Sequence, residues 1–326
     1  MKKLENKIFE ANKENFESLC LEVFRFQLEN IEVYRKYIAY LGVNPDEVDA
    51  IEKIPFLPIE FFKTQKILFP NKKEQKIFTS SGTSGMQTSK HYVADLQLYE
   101  KSFFGSFRHF YGNPQDYCIL ALLPSYLERT GSSLIYMMRS LIKQSAHRKG
   151  GFYLYDTEKL AELLTQLAAN KSKVLLLGVS FALLDLAEKH KMYLPQTIVM
   201  ETGGMKGKRK ELIREELHDF LMQRLGVNAI HSEYGMTELL SQAYSKSSGL
   251  FASPPWMKIL IRDVYDPFSY AEARKTGGVN VIDLANLYSC SFIETKDLGR
   301  IYPDGKFEIL GRFDNSDIRG CNLLVS

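Results

Sequence analysis

The sequence predicts an α/β protein: a large sheet of mostly parallel strands with helices on its faces. Two observations carry this. Through the middle of the chain, short apolar runs alternate with longer runs of helical period, the order in which βαβ units are written. The chain also has 326 residues, 45% hydrophobic and 25% charged, an ordinary globular composition at a length of about two domains of roughly 150 residues, enough to bury a sizeable core.

Taken in order, residues 6–42 are helical in pattern. Phe16, Cys20, Val23 and Phe24 recur at three- and four-residue steps, as on one buried stripe, which puts Cys20 in the core. Ile54-Pro55-Phe56-Leu57-Pro58 stops the helix, because proline fixes its own φ and holds its predecessor extended. Residues 117–123 form a short apolar strand. Thr157 can cap a helix that carries Leu160, Leu163, Leu164 and Leu167 on one face. A strand at 173–177, a helix at 181–190, a strand at 197–200, a helix at 208–221 and a strand at 229–232 continue the alternation. In such sheets ligands sit beyond the carboxyl ends of the strands. Near the end, Pro303-Asp304-Gly305 is a turn signal between 300–302 and 306–310, which predicts a hairpin.

Composition narrows the function classes. Lys and Arg number 42 against 39 Asp and Glu, leaving +3, too weak a balance to imply nucleic acid or a charged membrane surface. Lysine-rich stretches at 72–73 and 206–210 read as solvated faces. Cys20, Cys118, Cys290 and Cys321 include no CxxC pair, so neither a zinc site nor a dithiol is indicated, and reduced thiols in a cytoplasmic protein are expected. The N-terminus enters polar sequence without an apolar signal run, and the longest apolar runs are too short to span a bilayer; stable membrane insertion is not expected.

Four motifs can carry chemistry. Thr79-Ser80-Ser81-Gly82-Thr83-Ser84-Gly85, followed by Lys90, offers consecutive N–H groups and hydroxyls to an anion; it lacks the Gly-Lys-Ser/Thr of a Walker loop, and by itself also fits a flexible surface loop. Tyr234-Gly235-Met236-Thr237-Glu238 follows a strand. An aromatic ring there suits a nucleobase, Thr237 a phosphate and Glu238 a Mg²⁺ ion, and a helix cap reads the same five residues equally well. Thr202-Gly203-Gly204 is a tight strand-end turn, against which a flat ligand or nothing can lie. Asp297-Leu298-Gly299-Arg300 with Gly311-Arg312-Phe313-Asp314 supplies a carboxylate for two adjacent hydroxyls and an arginine for a ribose or phosphate oxygen, or else a charged hairpin surface.

In this order and spacing the four resemble the core motifs of the adenylate-forming superfamily, which includes acyl-CoA synthetases, peptide-synthetase adenylation domains and luciferases, over roughly residues 79–320. Within it the sequence is most similar to the LuxE-type acyl-protein synthetases. That narrower likeness rests on Ile54-Pro55-Phe56-Leu57-Pro58, on Leu123-Pro124-Ser125-Tyr126 with Gly131-Ser132-Ser133, and on a short tail with Arg319-Gly320-Cys321. The resemblance implies the large N-terminal-type domain of those enzymes without the small mobile C-terminal domain: a helical segment at 1–66 packed on an adenylation domain at 67–310, then a hinge-like tail at 311–326. It implies that Ser80, Ser81, Gly82, Thr83, Ser84 and Gly85, with Lys90, hold ATP phosphates. Gly203 and Gly204 would line the adenine site, with Tyr234 and Gly235 against the base. Thr237 would contact the α-phosphate, Glu238 would bind Mg²⁺, Asp297 would hold the ribose hydroxyls, and Arg312 would lie beside it.

The sequence departs from the superfamily in three places. The first loop reaches Lys90 by a longer path, without the usual Pro-Lys ending. Lys296 stands where glycine usually precedes the ribose aspartate. The segment after Arg312 is one residue shorter than the usual hinge. In the LuxE-type family a cysteine near the C-terminus accepts the acyl group, and Cys321 matches it; a thiolate is the nucleophile this needs. The implied reaction is activation of a fatty or other apolar carboxylic acid with ATP and Mg²⁺. Acyl transfer to Cys321 would follow, and then delivery to an acyl-CoA-reductase-like or carrier partner. The alternatives are a ligase that hands its acyl group to CoA or a carrier with Cys321 idle, and a non-catalytic nucleotide-binding scaffold. His231 lines a pocket or is structural, Cys118 and Cys290 are core residues, and Glu128-Arg129 have no defined role.

Overall fold

The computed structural model describes residues 2–80, 87–124, 131–145, 147–154, 156–203 and 212–313. The chain opens with helices α1 (Lys2–Ile8), α2 (Phe16–Asn30) and α3 (Glu32–Tyr40). The helical run expected over 6–42 is therefore broken twice. Between α1 and α2, the Asn12 carboxamide accepts from the Glu14 and Asn15 N–H groups and Asn15 accepts from that of Asn12, the side-chain competition by which asparagine opens a helix. At Ile31 the backbone turns extended, with φ −105°. The expected stripe lies inward at Cys20, Val23 and Phe24, while Phe16 is only partly buried. Gln27 is buried and satisfied: its Nε2 donates to the carbonyls of Asn286 and Leu287, and its Oε1 accepts from Ser291 N.

The proline segment forms a short strand, β1 (Leu57–Pro58), parallel to residues 293 and 294. After α4 (Phe61–Thr64), strands β2 (Lys76–Thr79) and β3 (Lys90–Val93) pair antiparallel as a sheet of their own. Helix α5 (Leu96–Tyr111) follows, capped by the Asp95 carboxylate.

The alternating region then appears in full: β4 (Cys118–Leu122), α6 (Ser133–Ser145), β5 (Gly151–Tyr153), α7 (Thr157–Ala169), β6 (Val174–Val179), α8 (Ser180–Lys189), β7 (Thr197–Thr202), α9 (Arg214–Leu225) and β8 (Ile230–Tyr234). Its strands lie parallel in the order β8-β7-β6-β4-β5. Every residue of β4 and β6 is buried, as in sheets covered on both faces. The cap of α7 is Asp156, which accepts from Lys159 N at 3.0 Å. Thr157, the expected cap, is the first helical residue, since the residue before it already supplies a better-placed acceptor. Helix α9 runs to Leu225 rather than 221 and stops at Gly226, whose φ of +60° is the left-handed conformation of a helix C-terminus.

Beyond Tyr234 the sheet changes direction. Strands β9 (Ala243–Ser245), β10 (Phe251–Ala252), β11 (Met257–Arg262), β12 (Gly277–Asp283), β13 (Phe292–Ile301) and β14 (Phe307–Arg312) continue it antiparallel, in the order β11-β12-β13-β14-β10-β9-β8. The sheet is thus mixed: parallel where helices cross over, antiparallel where short connections return the chain. The expected terminal hairpin is β13–β14, with Gly305 at φ +81° in its turn. One hydrophobic core runs through both halves and includes Phe24, Leu176 and Phe292. Among the described residues no helix is long and apolar enough to cross a membrane.

Candidate functional site

The parallel half ends at Thr202-Gly203 on β7 and at Tyr234-Gly235 on β8, with Thr202 opposite Glu233 in the register. Gly203 has φ +69°, and its carbonyl accepts from the Ser180 hydroxyl at 2.6 Å. Gly235 leaves room for the Glu233 carboxylate: a Cβ there would lie 2.4 Å from Glu233 Oε1, and the carboxylate would have to shift. Glu233 is itself buried and takes the Thr202 hydroxyl at 2.5 Å. Loss of water pushes its carboxyl up to about 7, with the Glu201 charge adding to the rise.

Tyr234 faces the other way. Its ring lies against Phe251 and Phe307, at centroid distances of 6.0 and 5.8 Å. Its hydroxyl donates to Asp297 Oδ2 at 2.8 Å. The ring is 8% exposed, so in this arrangement it offers a base little surface. Asp297 stands opposite Arg312 in the β13–β14 register, and Arg312 Nε lies 3.6 Å from Asp297 Oδ1. Burial raises the Asp297 carboxyl, and the Tyr234 hydroxyl and the Arg312 charge oppose the rise. The Arg312 side chain is 70% exposed.

Thr237 and Glu238 form the turn after β8. Glu238 is buried, and desolvation raises its carboxyl; the Ser89 hydroxyl and the Arg312 charge pull it down, while Asp297 pushes it up. Glu238, Asp297 and Arg312 therefore act on one another. Backbone groups of the same turn are held from three sides. The Thr237 carbonyl meets His91 Nδ1 at 2.8 Å, and the Glu238 carbonyl accepts from Asn286 Nδ2 at 2.8 Å. Asp283, fully buried, accepts from Leu240 N at 2.7 Å, from Ser241 N at 2.9 Å and from the Ser241 hydroxyl at 2.5 Å.

The Ser/Gly loop joins this turn through its neck. Ser80 N donates to Ser89 O, and Ser89 N donates to Ser80 Oγ, while the Ser89 hydroxyl reaches Glu238. The structure thus brings Ser80, Tyr234, Thr237, Glu238, Asp297 and Arg312 together, with Gly203 and Gly235 at the neighbouring strand ends. Lys90 pairs with Thr79 across the hairpin and is exposed. Alternation along β3 puts it on the face away from His91, and so away from the Thr237–Glu238 turn. Ser81, Gly82, Thr83, Ser84, Gly85, Gly204, Glu128-Arg129 and Cys321 lie outside the described residues. His231 meets the Tyr111 hydroxyl at 3.1 Å, and burial holds it down at about 4. Cys118 and Cys290 are buried, and loss of water raises their thiols to about 11 and about 12, which makes them poor nucleophiles.

His91, Asn286, Asp283 and Ser89 were not signalled by any motif. The one cue was Asp283 at the end of an apolar run, a position where aspartate often accepts backbone N–H groups. Glu238 fits Mg²⁺ by its chemistry: a buried oxygen ligand with a single side-chain donor, beside a second carboxylate. Among the described residues no group of three or more His, Cys, Asp or Glu stands together to cage a metal. Mg²⁺ needs no such cage, since it takes one or two carboxylates and completes its shell with phosphates and water.

No family model matches the chain. Over 71 residues, 22% of this chain and 60% of the relative, it is 35% identical to a long-chain-fatty-acid–luciferin-component ligase of Photorhabdus luminescens. Among solved structures, 2-hydroxyisobutyryl-CoA ligase in an open conformation with 2-HIB-AMP and CoA superposes with a TM-score of 0.66 at 14% identity, over 90% of this chain and 68% of that one. ATP-bound MatB from Rhodopseudomonas palustris superposes with a TM-score of 0.55 at 18% identity, over 72% of this chain and 47% of that one. The chain spans three-fifths of the curated relative and about half of MatB. The likeness to adenylate-forming enzymes holds: the chain has the fold of their large domain.

Proposed function

We propose that this chain is an AMP-forming acid ligase, which joins a carboxylic acid to ATP and passes the acyl group to a thiol. One observation carries the reading. Thr237, Glu238, Tyr234, Asp297 and Arg312 converge at the carboxyl ends of β7 and β8, beside the neck of the Ser/Gly loop, in a fold shared with ligases solved with ATP or an acyl-AMP.

In the first step an oxygen of the acid's carboxylate attacks the α-phosphorus. The new O–P bond forms as the bond to the β-phosphate oxygen breaks, and pyrophosphate leaves. Amides and hydroxyls of Ser80, Ser81, Gly82, Thr83, Ser84 and Gly85 would take the phosphate oxygens, and the Thr237 hydroxyl would donate to the α-phosphate. Glu238 would hold Mg²⁺, which offsets the negative charge of the phosphates. Asp297 would accept from the ribose hydroxyls once Tyr234 shares or yields its bond, with Arg312 alongside. In the second step a thiolate attacks the acyl carbonyl, a C–S bond forms, and AMP leaves.

The finer reading follows the LuxE-type likeness: a fatty or other apolar acid, acyl transfer to Cys321, and relay to an acyl-CoA-reductase-like or carrier partner in the cytoplasm. The 35% identity to a fatty-acid ligase supports it over 71 residues. A rival, direct transfer to CoA with Cys321 idle, is favoured by the CoA-bound ligase neighbour. The test is ATP–pyrophosphate exchange over a panel of acids, followed by intact mass with ATP and the best acid, for the wild type and Cys321→Ser. Exchange with no acid at all rejects the ligase. An acyl adduct that persists in Cys321→Ser rejects the relay, and acyl-CoA formed equally by both proteins establishes the rival.

A further inference from the structure

We infer that His91 is a positioning residue for the Thr237–Glu238 turn, tying that turn to the β2–β3 hairpin through contacts at both of its ring nitrogens. The inference rests on the ligase reading for its kinetic meaning and on geometry alone for its hydrogen bonds.

His91 Nδ1 lies 2.8 Å from the Thr237 carbonyl and Nε2 lies 2.9 Å from Asn286 Oδ1. A backbone carbonyl can only accept. The Asn286 amide cannot be turned round either. Its Nδ2 already donates to the Glu238 and Cys290 carbonyls, each at 2.8 Å, and exchanging O for N would set an oxygen against both. Each ring nitrogen therefore faces an acceptor, and a neutral imidazole has a proton for only one of them.

Burial opposes the second proton, pulling the ring down to about 4. The ring is therefore neutral near pH 7: it donates to one of the two oxygens and sets its other nitrogen beside the second, bordering a cavity of about 10 Å³ that His91 and Asn286 both line. Phe62 packs nearly perpendicular to the ring at 5.6 Å between centroids, and the residue is 1% exposed.

The consequence is mechanical. His91 and Ser89 lie on the same face of the strand that leaves the Ser/Gly loop, two residues apart. Ser89 reaches the Glu238 carboxylate, and His91 reaches the Thr237 carbonyl and, through Asn286, the Glu238 carbonyl. The β2–β3 hairpin and the turn that would take the α-phosphate and the metal are thus tied together at Ser89 and His91. Asn286 is anchored in turn, since its own carbonyl accepts from Gln27 on α2.

The experiment uses the full chain with ¹⁵N-histidine, the His91 signals being identified by their absence in His91→Gln. One ring N–H that exchanges slowly near neutral pH is the expected result; a ring proton that exchanges as fast as that of a free imidazole overturns the inference. In parallel, His91→Gln and His91→Phe are compared with the wild type in acid-dependent ATP–pyrophosphate exchange, with thermal midpoints recorded alongside. Positioning predicts that KM for ATP rises about tenfold or more while KM for the acid moves less than about threefold. A fall in midpoint with both KM values unchanged reduces His91 to packing and overturns the role. If the wild type shows no exchange with any acid, the ligase reading fails, and the titration of Mg²⁺ and ATP into the wild type and His91→Gln judges this inference instead: equal affinity, or no binding by either, overturns it.

Discussion

Asp283 and Glu238 hold the same stretch of backbone and have opposite fates. Burial raises both carboxyls. Asp283 is met by the N–H groups of Leu240, Ser241 and Ala285 and by the Ser241 hydroxyl, so its charge is solvated by the protein itself. Glu238 has the Ser89 hydroxyl and its own backbone N–H, and a like charge at Asp297. Burial alone therefore does not tell whether a carboxylate is saturated; the number of donors does. A carboxylate surrounded by donors has nothing left to bind, and one short of donors retains the capacity to take a cation.

The comparison can be broken first at Asp283. Replacing it with alanine leaves the N–H groups of Leu240, Ser241 and Ala285 buried without that acceptor, and should cost about 3–5 kcal/mol of stability. Chemical denaturation measures this, and a loss below about 1 kcal/mol would erase the distinction. Glu238→Gln should do the reverse. Removing an under-donated charge should leave stability within about 1 kcal/mol of the wild type, while ATP–pyrophosphate exchange falls about 100-fold, equivalent to about 2.7 kcal/mol in the barrier. A large loss of stability with full exchange would make Glu238 a second Asp283.

Glu233 tests the same idea by pH. Its folded carboxyl lies near 7, above the usual 4.5, so between those values the folded state holds a proton that the unfolded state has lost. Its contribution to stability therefore falls as pH rises from about 4.5 to about 7 and stays low above that. Glu233→Gln, which keeps an acceptor for Thr202, should match the wild type near pH 4.5 and exceed it by about 1–3 kcal/mol at pH 8. Urea titrations at the two pH values read the difference, and a gain at pH 4.5 alone would reverse the sign. The smallest effect belongs to a carboxylate that water solvates: Glu32, paired with Lys36 on the exposed face of α3. Glu32→Gln should leave the thermal midpoint within measurement error.

Parts of this were legible in the chain. The alternation at 117–232 identified most of the parallel half because its central strands β4 and β6 are covered on both faces and read as unbroken apolar runs; α6 and the half-buried β5 were missed. The antiparallel half was missed except for its last hairpin: β9 and β10, at three and two residues, are too short for any period to show, and β12, buried along its whole length, shows no alternation. At the site, Tyr234, Thr237, Glu238, Asp297 and Arg312 stood out as motif residues. That the Tyr234 hydroxyl is spent on Asp297, and its ring enclosed by Phe251 and Phe307, could not be read, because those partners come from three later strands.

What the sequence by itself determined is local: which segments bury a face, where turns fall, and which residue types could meet a nucleotide. Periodicity, proline and glycine act over a few residues, so their message survives without the fold. What only the tertiary structure decided is which polar groups satisfy one another. His91, Asp283 and Asn286 meet the turn at 237–241 from segments far away in the chain, and a buried hydrogen bond exists only when packing has removed the water and aligned both partners. That condition belongs to the assembled core and to no stretch of the chain alone.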